Sequence, residues 1–396
     1  MQQLLAALSK ITSYVKGYAS EVPSTLAFGG LNVILVGDFH QFPPVGNPSA
    51  ALYSSEDGSA VSALGRAIYL QFETVVKLTE QCRITDPVWN QVLANCRVGE
   101  CTEDDLNQIG DLVLTNEKCQ TPDFDTKPWS DAILVTSQHG VRVAWNEYAL
   151  LKHRQLSGQT VYVCPSEDTI AKDESSLTLA QKIIVAGMKE KQTGRLQERM
   201  QISVGMKAMV VLNIATEADL ANGTRGEIVD LVLDPREDPQ TVKEEGCRCH
   251  LQYPPRMVLF KPYTETELQL EGVPKGQIPI FPSEAKFSIR EQNGAPVKVC
   301  RRQLAITAGY AFTDYKSQGQ TIEHVIVDLG KPPSGALSPF SAYVALSRSR
   351  GRNNIRLLRH FDDALFTRHP SEDLRDEDER LARLDAQTAA RFGDRR

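Results

Sequence analysis

The sequence predicts an α/β fold built on parallel sheets, with a small antiparallel β-barrel inserted in its second part. Two observations carry that expectation. Between residues 28 and 152, short apolar runs rich in β-branched residues alternate with segments of helical periodicity, the pattern of a sheet crossed over by helices. From about Gly205 the runs shorten and are broken by Asn222-Gly223, Pro235 and Pro254-Pro255, as antiparallel strands joined by turns would be.

The elements follow in order. Leu4, Leu5, Leu8, Ile11 and Val15 have the spacing of a helix. After Phe28-Gly29-Gly30, residues 31–36 read Leu-Asn-Val-Ile-Leu-Val and stop at Gly37-Asp38, which predicts a buried parallel strand. Residues 46–63 are small and polar, a loop. A strand is expected over 74–78, a helix over 87–97, a third buried strand over 132–136 and a helix over 143–152. Short strands at 207–212, 226–233, 249–253 and 257–260 would build the barrel, at about residues 205–300. Residues 301–328 and 340–358 return to helix and parallel-strand texture. The tail from Pro370 carries eight acids and six arginines in 27 residues. Leu374, Leu381, Leu384 and Thr388 are spaced for a seam, but so charged a segment predicts a solvated or loosely docked helix.

Composition narrows the class. A length of 396 residues suits two or three domains, and 41% apolar with 24% charged residues describes a globular chain. No run approaches the roughly eighteen apolar residues of a membrane helix. The start, Met1-Gln-Gln-Leu, lacks the basic flank of a signal peptide. Eight cysteines, thinly spread, do not form a disulfide framework and fit a reducing cytosolic or nuclear setting. Cys247 and Cys249 alternate on a strand with His250 on its other face, and no second pair follows at zinc spacing, so no metal site is expected. The net charge of −6 is unevenly spread. Residues 331–361 contain no Asp or Glu, while Arg348, Arg350, Arg352, Arg356 and Arg359 crowd their second half. Charge alone leaves two readings open, a phosphate-binding surface and a solvated turn.

The strongest local signal is Leu35-Val-Gly-Asp-Phe-His-Gln-Phe-Pro-Pro-Val45. A strand ending in Gly-Asp places polar side chains at the carboxyl edge of a parallel sheet, where ligands bind. Gln41 follows within reach of a phosphate oxygen or an attacking water, and Pro43-Pro44 stiffens the exit. This run resembles motif III of the petite-integration-frequency family of superfamily 1 DNA helicases and its Helitron transposon relatives. Further stretches are similar in family order. They are Phe28-Gly-Gly30, Gly65–Tyr69 with Leu78-Thr-Glu-Gln-Cys-Arg83 (motif IV), and 134–146, the opening of the second motor domain. Then come 204–214 with 221–226 (the start of the inserted barrel), Ala311–Thr321 (motif V) and Ala342–Arg348 (motif VI).

The resemblance implies RecA-like P-loop NTPase motor domains. Residues 1–125 would be the remainder of the first, incomplete and holding motifs III and IV. Residues 126–369 would be the second, with motifs V and VI, and 370–396 a charged tail. It implies ATP and Mg2+ as cofactors, and single-stranded DNA and duplex junctions as partners. A monomer with no membrane association is implied, nuclear or mitochondrial in a eukaryote and otherwise cytoplasmic. Repair, recombination and telomere maintenance are the processes such helicases serve. By resemblance Gln41 senses the γ-phosphate, and Arg83 and Arg348 stabilise charge during phosphoryl transfer. Asp38 and Gly319 complete the nucleotide side. Tyr315, Lys316, Ser317, Gln318, Arg350 and Arg352 would face DNA. The family carries His before Lys-Ser-Gln-Gly, where this chain has Asp314-Tyr315, so a stacking contact would replace a hydrogen bond.

The phosphate-loop pattern Gly-x-x-x-x-Gly-Lys-[Ser/Thr] does not occur. Gly272-Val-Pro-Lys-Gly276 and Gly330-Lys-Pro332 lack its spacing and hydroxyl. In the family the magnesium-binding acidic pair precedes a methionine and a helix, so Met1 is expected to lie directly after that pair. The chain as written is therefore expected to be inactive as an ATPase. A DNA-binding remnant that hydrolyses nothing is the alternative. An endonuclease or other α/β hydrolase would need a carboxylate or His cluster that the seven scattered histidines do not supply.

Overall fold

In the computed structural model the described residues are 1–20, 26–56, 58–218, 220–238, 243–245, 248–264, 269–291, 294–333 and 335–393. Cys247, half of the alternating cysteine pair, lies outside them. The chain forms two compact units. One joins Met1–Ser137 to Thr313–Arg396, and the other is Gln138–Phe312. The boundaries expected near 125 and 369 do not coincide with this division, because the segments carrying motifs III to VI gather in the first unit.

In that unit the helix Gln2–Ser20 packs Leu5 with Phe28, Leu52, Ile68 and Tyr69, the last two from the helix Ala60–Tyr69. A Cβ on Gly65 would fall 1.9 Å from the Gln2 carbonyl oxygen, so only glycine permits this approach of the two helices. The helix Pro87–Val98 begins at Asp86, whose carboxylate accepts from the Val88 and Trp89 N–H groups, and ends at Gly99 in the left-handed region. It buries Trp89, Val92, Leu93 and Cys96. The helix Glu103–Gly110 opens on a capping box between Thr102 and Asp105.

Three parallel strands form the sheet of this unit: Ile133–Thr136, Val325–Asp328 and Ile355–Leu357, with Val325–Asp328 central. All their residues are buried, as β-branched runs without alternation require. The helix Pro339–Leu346, capped by Ser338, is apolar nearly all round and buried.

Two expected strands do not form. Residues 31–36 and 74–78 form neither helix nor strand and have no ladder partner among the described residues. Ile34 is 87% exposed, Val36 91% and Leu78 91%. A parallel strand is held by its neighbours, and apolar content alone does not supply them.

The tail also departs from expectation. Glu372–Phe392 is one helix, and it is docked. Leu374 is fully buried with Ala51, Tyr53 and Phe340. Asp373 accepts from the Ser54 and Ser55 hydroxyls, Glu377 from the Tyr69 hydroxyl, and Asp378 contacts His40 Nε2 at 2.6 Å. Farther along, Asp385 and Thr388 accept from the backbone N–H groups of Lys77 and Val75, so the helix partly satisfies one of the unpaired segments. The charges that suggested a solvated helix are the contacts that dock it.

The second unit holds the helix His139–Ser157 and three sheets. Its five-stranded antiparallel sheet runs Ile278–Ile280, Met257–Pro262, Arg225–Val232, Lys207–Val210, Ile306–Ala308. Ser283–Arg290, Pro296–Gln303 and Glu167–Ile170 form a second sheet. Arg199–Ile202, Val161–Pro165, Arg248–His250 and Lys243–Glu245 form the third. The strands expected for the barrel are thus divided among sheets, and strands from outside 205–300 join each one. The five-stranded sheet and the third sheet share a core that includes Met206, Ile228, Phe260, Val161 and Ile202, whereas the second sheet buries Phe287, Ile289 and Val299 in a separate cluster.

No helix among the described residues is long and apolar enough to cross a membrane.

Candidate nucleotide and nucleic-acid site

Segments far apart in sequence meet around the turn that follows Thr313. The helix Asp314–Ser317 leads into Gly319, whose φ of +78° needs glycine for its backbone conformation and not for lack of space. The ring of Tyr315, half-exposed, stacks on Phe42 at 4.0 Å between centroids and 19° between planes. Next to this pair, Gln318 Nε2 donates to Gln41 Oε1 at 2.8 Å. Gln41, Tyr315 and Gln318, chosen from sequence, are therefore neighbours. Ser317 is fully buried, and its hydroxyl donates to the Asp314 carbonyl, so it shapes the turn. Lys316 is half-buried, and its carbonyl accepts from Gln320.

The loop carrying Gln41 is fixed at Asp38. Arg97 donates both terminal nitrogens to its carboxylate, at 2.6 and 2.8 Å, and also reaches the Tyr343 hydroxyl. Burial acts to raise the Asp38 pKa, but the Arg97 hydrogen bonds and charge prevail and hold it below the usual carboxylate range. Asp38 is thus committed to an internal pair. His40, 2% exposed, spans Arg97 O at 2.8 Å and Asp378, so the chain leading into Gln41 is anchored at two points.

The two arginines picked as phosphate contacts share one neighbour. Arg83 donates to Thr321 Oγ1 at 3.0 Å and to the Ser347 carbonyl at 3.3 Å. Arg348 donates to Val344 O and to Ser347 Oγ, each at 2.6 Å, and more weakly to Gln320 O and Ser317 O. All these acceptors are neutral, and among the described residues neither arginine has an ion pair. Arg348 is nevertheless only 2% exposed. Burial, and then the Arg83 charge, bring its guanidinium down to about 10. A buried cation without a counter-ion is held at a cost that an anion at this point would relieve.

The basic cluster is less available than its sequence suggests. Arg352 is paired with Asp86 at 2.8 Å, and Arg359 with Asp328. Arg356 is buried, donates to Gln120 O and lies over the Trp129 ring. Arg350 is exposed, and its carbonyl accepts from Thr85 N–H. Of the predicted DNA-facing arginines, then, Arg350 is open and Arg352 is engaged. Sequence reasoning missed Phe42, Arg97, Tyr343 and Ser347. The aromatic neighbours of Gln41 and Arg348 in their own motifs were the available signal for Phe42 and Tyr343.

No group of three His, Cys, Asp or Glu side chains able to hold a metal ion occurs among the described residues.

No family model matches the chain. It is 25% identical over 336 residues to the ATP-dependent DNA helicase Pif1 of Bdellovibrio bacteriovorus, covering 85% of this chain and 60% of that protein. It is 27% identical over 347 residues to ATP-dependent DNA helicase PIF1 of Xenopus laevis, covering 87% and 43%. The chain therefore spans less than two thirds of these relatives. Its fold is similar to that of Pif1 helicase from Candida albicans, with a TM-score of 0.60 at 21% identity over 96% of this chain and 74% of that one. Bacteroides Pif1 bound to ssDNA gives 0.55 at 19%, over 93% and 71%. The ordered motifs, their meeting around one turn and these agreeing likenesses make the chain a distant homologue of the Pif1-type superfamily 1 DNA helicases.

Proposed function

We propose that this chain is the motor portion of an ATP-dependent DNA helicase that moves 5′ to 3′ on single-stranded DNA and engages duplex junctions. Residues 1–125 belong to the first RecA-like domain and 126–369 to the second, with the five-stranded antiparallel sheet as the core of the inserted barrel. The observation that carries the reading is the meeting of Gln41, Arg83 and Arg348 at the turn bearing Tyr315, Lys316 and Gln318. Phosphoryl transfer is mainly positioning and charge stabilisation, and an uncompensated buried arginine beside a second arginine suits that work. ATP would meet Gln41, Arg83 and Arg348 at its γ-phosphate, with Asp38 and Gly319 holding the loops that present them. Tyr315 would stack on a base, and Lys316, Gln318 and Arg350 would line the strand, while buried Ser317 shapes the turn and Arg352 stays paired with Asp86. The Bacteroides relatives, crystallised with ssDNA and with ADP-AlF3, support the ligand pair.

The sequence lacks the phosphate-loop lysine, which favours a second statement: alone, this chain binds DNA and hydrolyses nothing. Fluorescence anisotropy with a labelled oligonucleotide at two salt concentrations tests the DNA half. Affinity should fall steeply with salt and drop further in Tyr315→Ala. A flat salt response with unchanged Tyr315→Ala binding contradicts it.

A further inference from the structure

Seven described cysteines are free thiols, and two of them face each other. Cys96 Sγ lies 3.3 Å from Cys101 Sγ, closer than the sum of ordinary sulfur contact radii and about 1.3 Å from disulfide bonding distance. Cys96 sits in the last turn of the helix Pro87–Val98 and is 1% exposed, whereas Cys101 is half-buried in the loop after it. The two sulfurs, five residues apart in sequence, meet because Gly99 takes the left-handed conformation, with φ of +70°, and folds the chain back over the helix end. Gly99 cannot be replaced freely, since a Cβ there would fall 2.2 Å from the Arg368 backbone. Cys101 N–H donates to Phe366 O, and Thr102 opens the next helix, so both sulfurs sit on anchored backbone. None of the nucleotide or DNA contacts uses either thiol.

We propose that Cys96 and Cys101 form a redox modification site, a dithiol that low-molecular-weight disulfides convert to an intramolecular disulfide. Cys101, the less buried sulfur, attacks one sulfur of an oxidised glutathione molecule as the thiolate and releases one glutathione thiolate. Cys96 then loses its proton and attacks the Cys101 sulfur of the mixed disulfide, releasing the second glutathione. Two protein thiols are oxidised and one glutathione disulfide is reduced to two thiols, so electrons and atoms balance. The hydrogen bond to Cys101, and then burial, push the Cys96 thiol well up, which leaves it the resolving sulfur and not the first attacker. The bond would close next to Arg97, which holds Asp38 and His40, so the oxidised state reports directly to the loop bearing Gln41.

The test is made on the full chain, incubated with oxidised glutathione, blocked with iodoacetamide and digested with trypsin. Cleavage after Arg97 separates the two cysteines, so the disulfide appears as peptide 84–97 joined to peptide 98–118. Expected are that linked pair in the wild type, its loss on treatment with dithiothreitol, and its absence in Cys101→Ser. In Cys96→Ser the reaction should stop at Cys101 carrying glutathione. Exposed Cys82 serves as an internal reference and should carry glutathione in every variant. Wild-type Cys101 that stays as the mixed disulfide, or that is alkylated together with Cys96 while Cys82 is modified, overturns the proposal. Because the wild-type map alone distinguishes these outcomes, a variant that fails to fold does not shelter the idea.

Discussion

Replacing Leu374 by Ala tests whether the charged tail is part of the fold. Leu374 is the apolar side chain that the tail helix buries completely, set among Ala51, Tyr53 and Phe340 with Phe39 and Phe42 beside them. Removing its branched end leaves a cavity lined by rings that collapse only in part, so about 3 kcal/mol is expected, within the ~2–5 kcal/mol seen for buried Leu→Ala changes. For a unit of roughly two hundred residues, each kcal/mol moves the melting point about 2–4 °C, so a loss of ~6–12 °C follows. Urea titration and calorimetry of the wild type, Leu374→Ala and Leu381→Ala provide the assay. Leu381 is only half-buried, and its substitution should cost less than about 1.5 kcal/mol. If Leu374→Ala stays within about 0.5 kcal/mol of the wild type, as surface changes do, the helix is solvated and its docking is refuted.

Three further outcomes are expected. Burial acts to raise the Asp86 pKa, but hydrogen bonds from Arg352 and the helix start bring it to about 2. Its folded value is below the unfolded one, near 3.9, so its stabilisation is present above about pH 4 and lost as pH falls towards 2. Asp86→Asn keeps the helix cap and should flatten that limb by less than about 1 kcal/mol, since the pair is partly solvated; an unchanged acid titration contradicts the assignment. Arg350→Ala should lower the salt slope of single-strand binding by about 0.7, one phosphate contact, with stability unchanged. Arg356→Ala should instead destabilise the fold, because its guanidinium serves Gln120 O and the Trp129 ring; equal slope changes in both variants would restore the continuous basic face.

The motifs were legible because each is a local run whose chemistry depends on adjacent residues. Gln41, Tyr315 and Gln318 were named from sequence, and the structure brings them together. Partners distant in sequence were not legible. Arg352, Arg356 and Arg359 look alike in a chain without nearby acids, yet Asp86, Gln120 and Asp328 engage them through contacts that no spacing rule contains. Asp373, Glu377 and Asp378 read as solvent charges for the same reason, although Ser55, Tyr69 and His40 meet them. Residues 31–36 failed differently. Their apolar, β-branched composition is that of a buried strand, but strand formation depends on neighbours that a local run cannot specify.

DNA-stimulated phosphate release by the purified chain separates a working motor from a DNA-binding portion that hydrolyses nothing. On the proposed reading Gln41, Arg83 and Arg348 would provide the γ-phosphate side of a helicase nucleotide site, and the sequence contains no phosphate-loop lysine to complete it. Losing one such group costs roughly 4 kcal/mol of transition-state stabilisation, about a thousandfold in rate. Single-strand binding with no ATP hydrolysis above background is expected. Release that rises with single-stranded DNA and disappears in Arg348→Ala would contradict it.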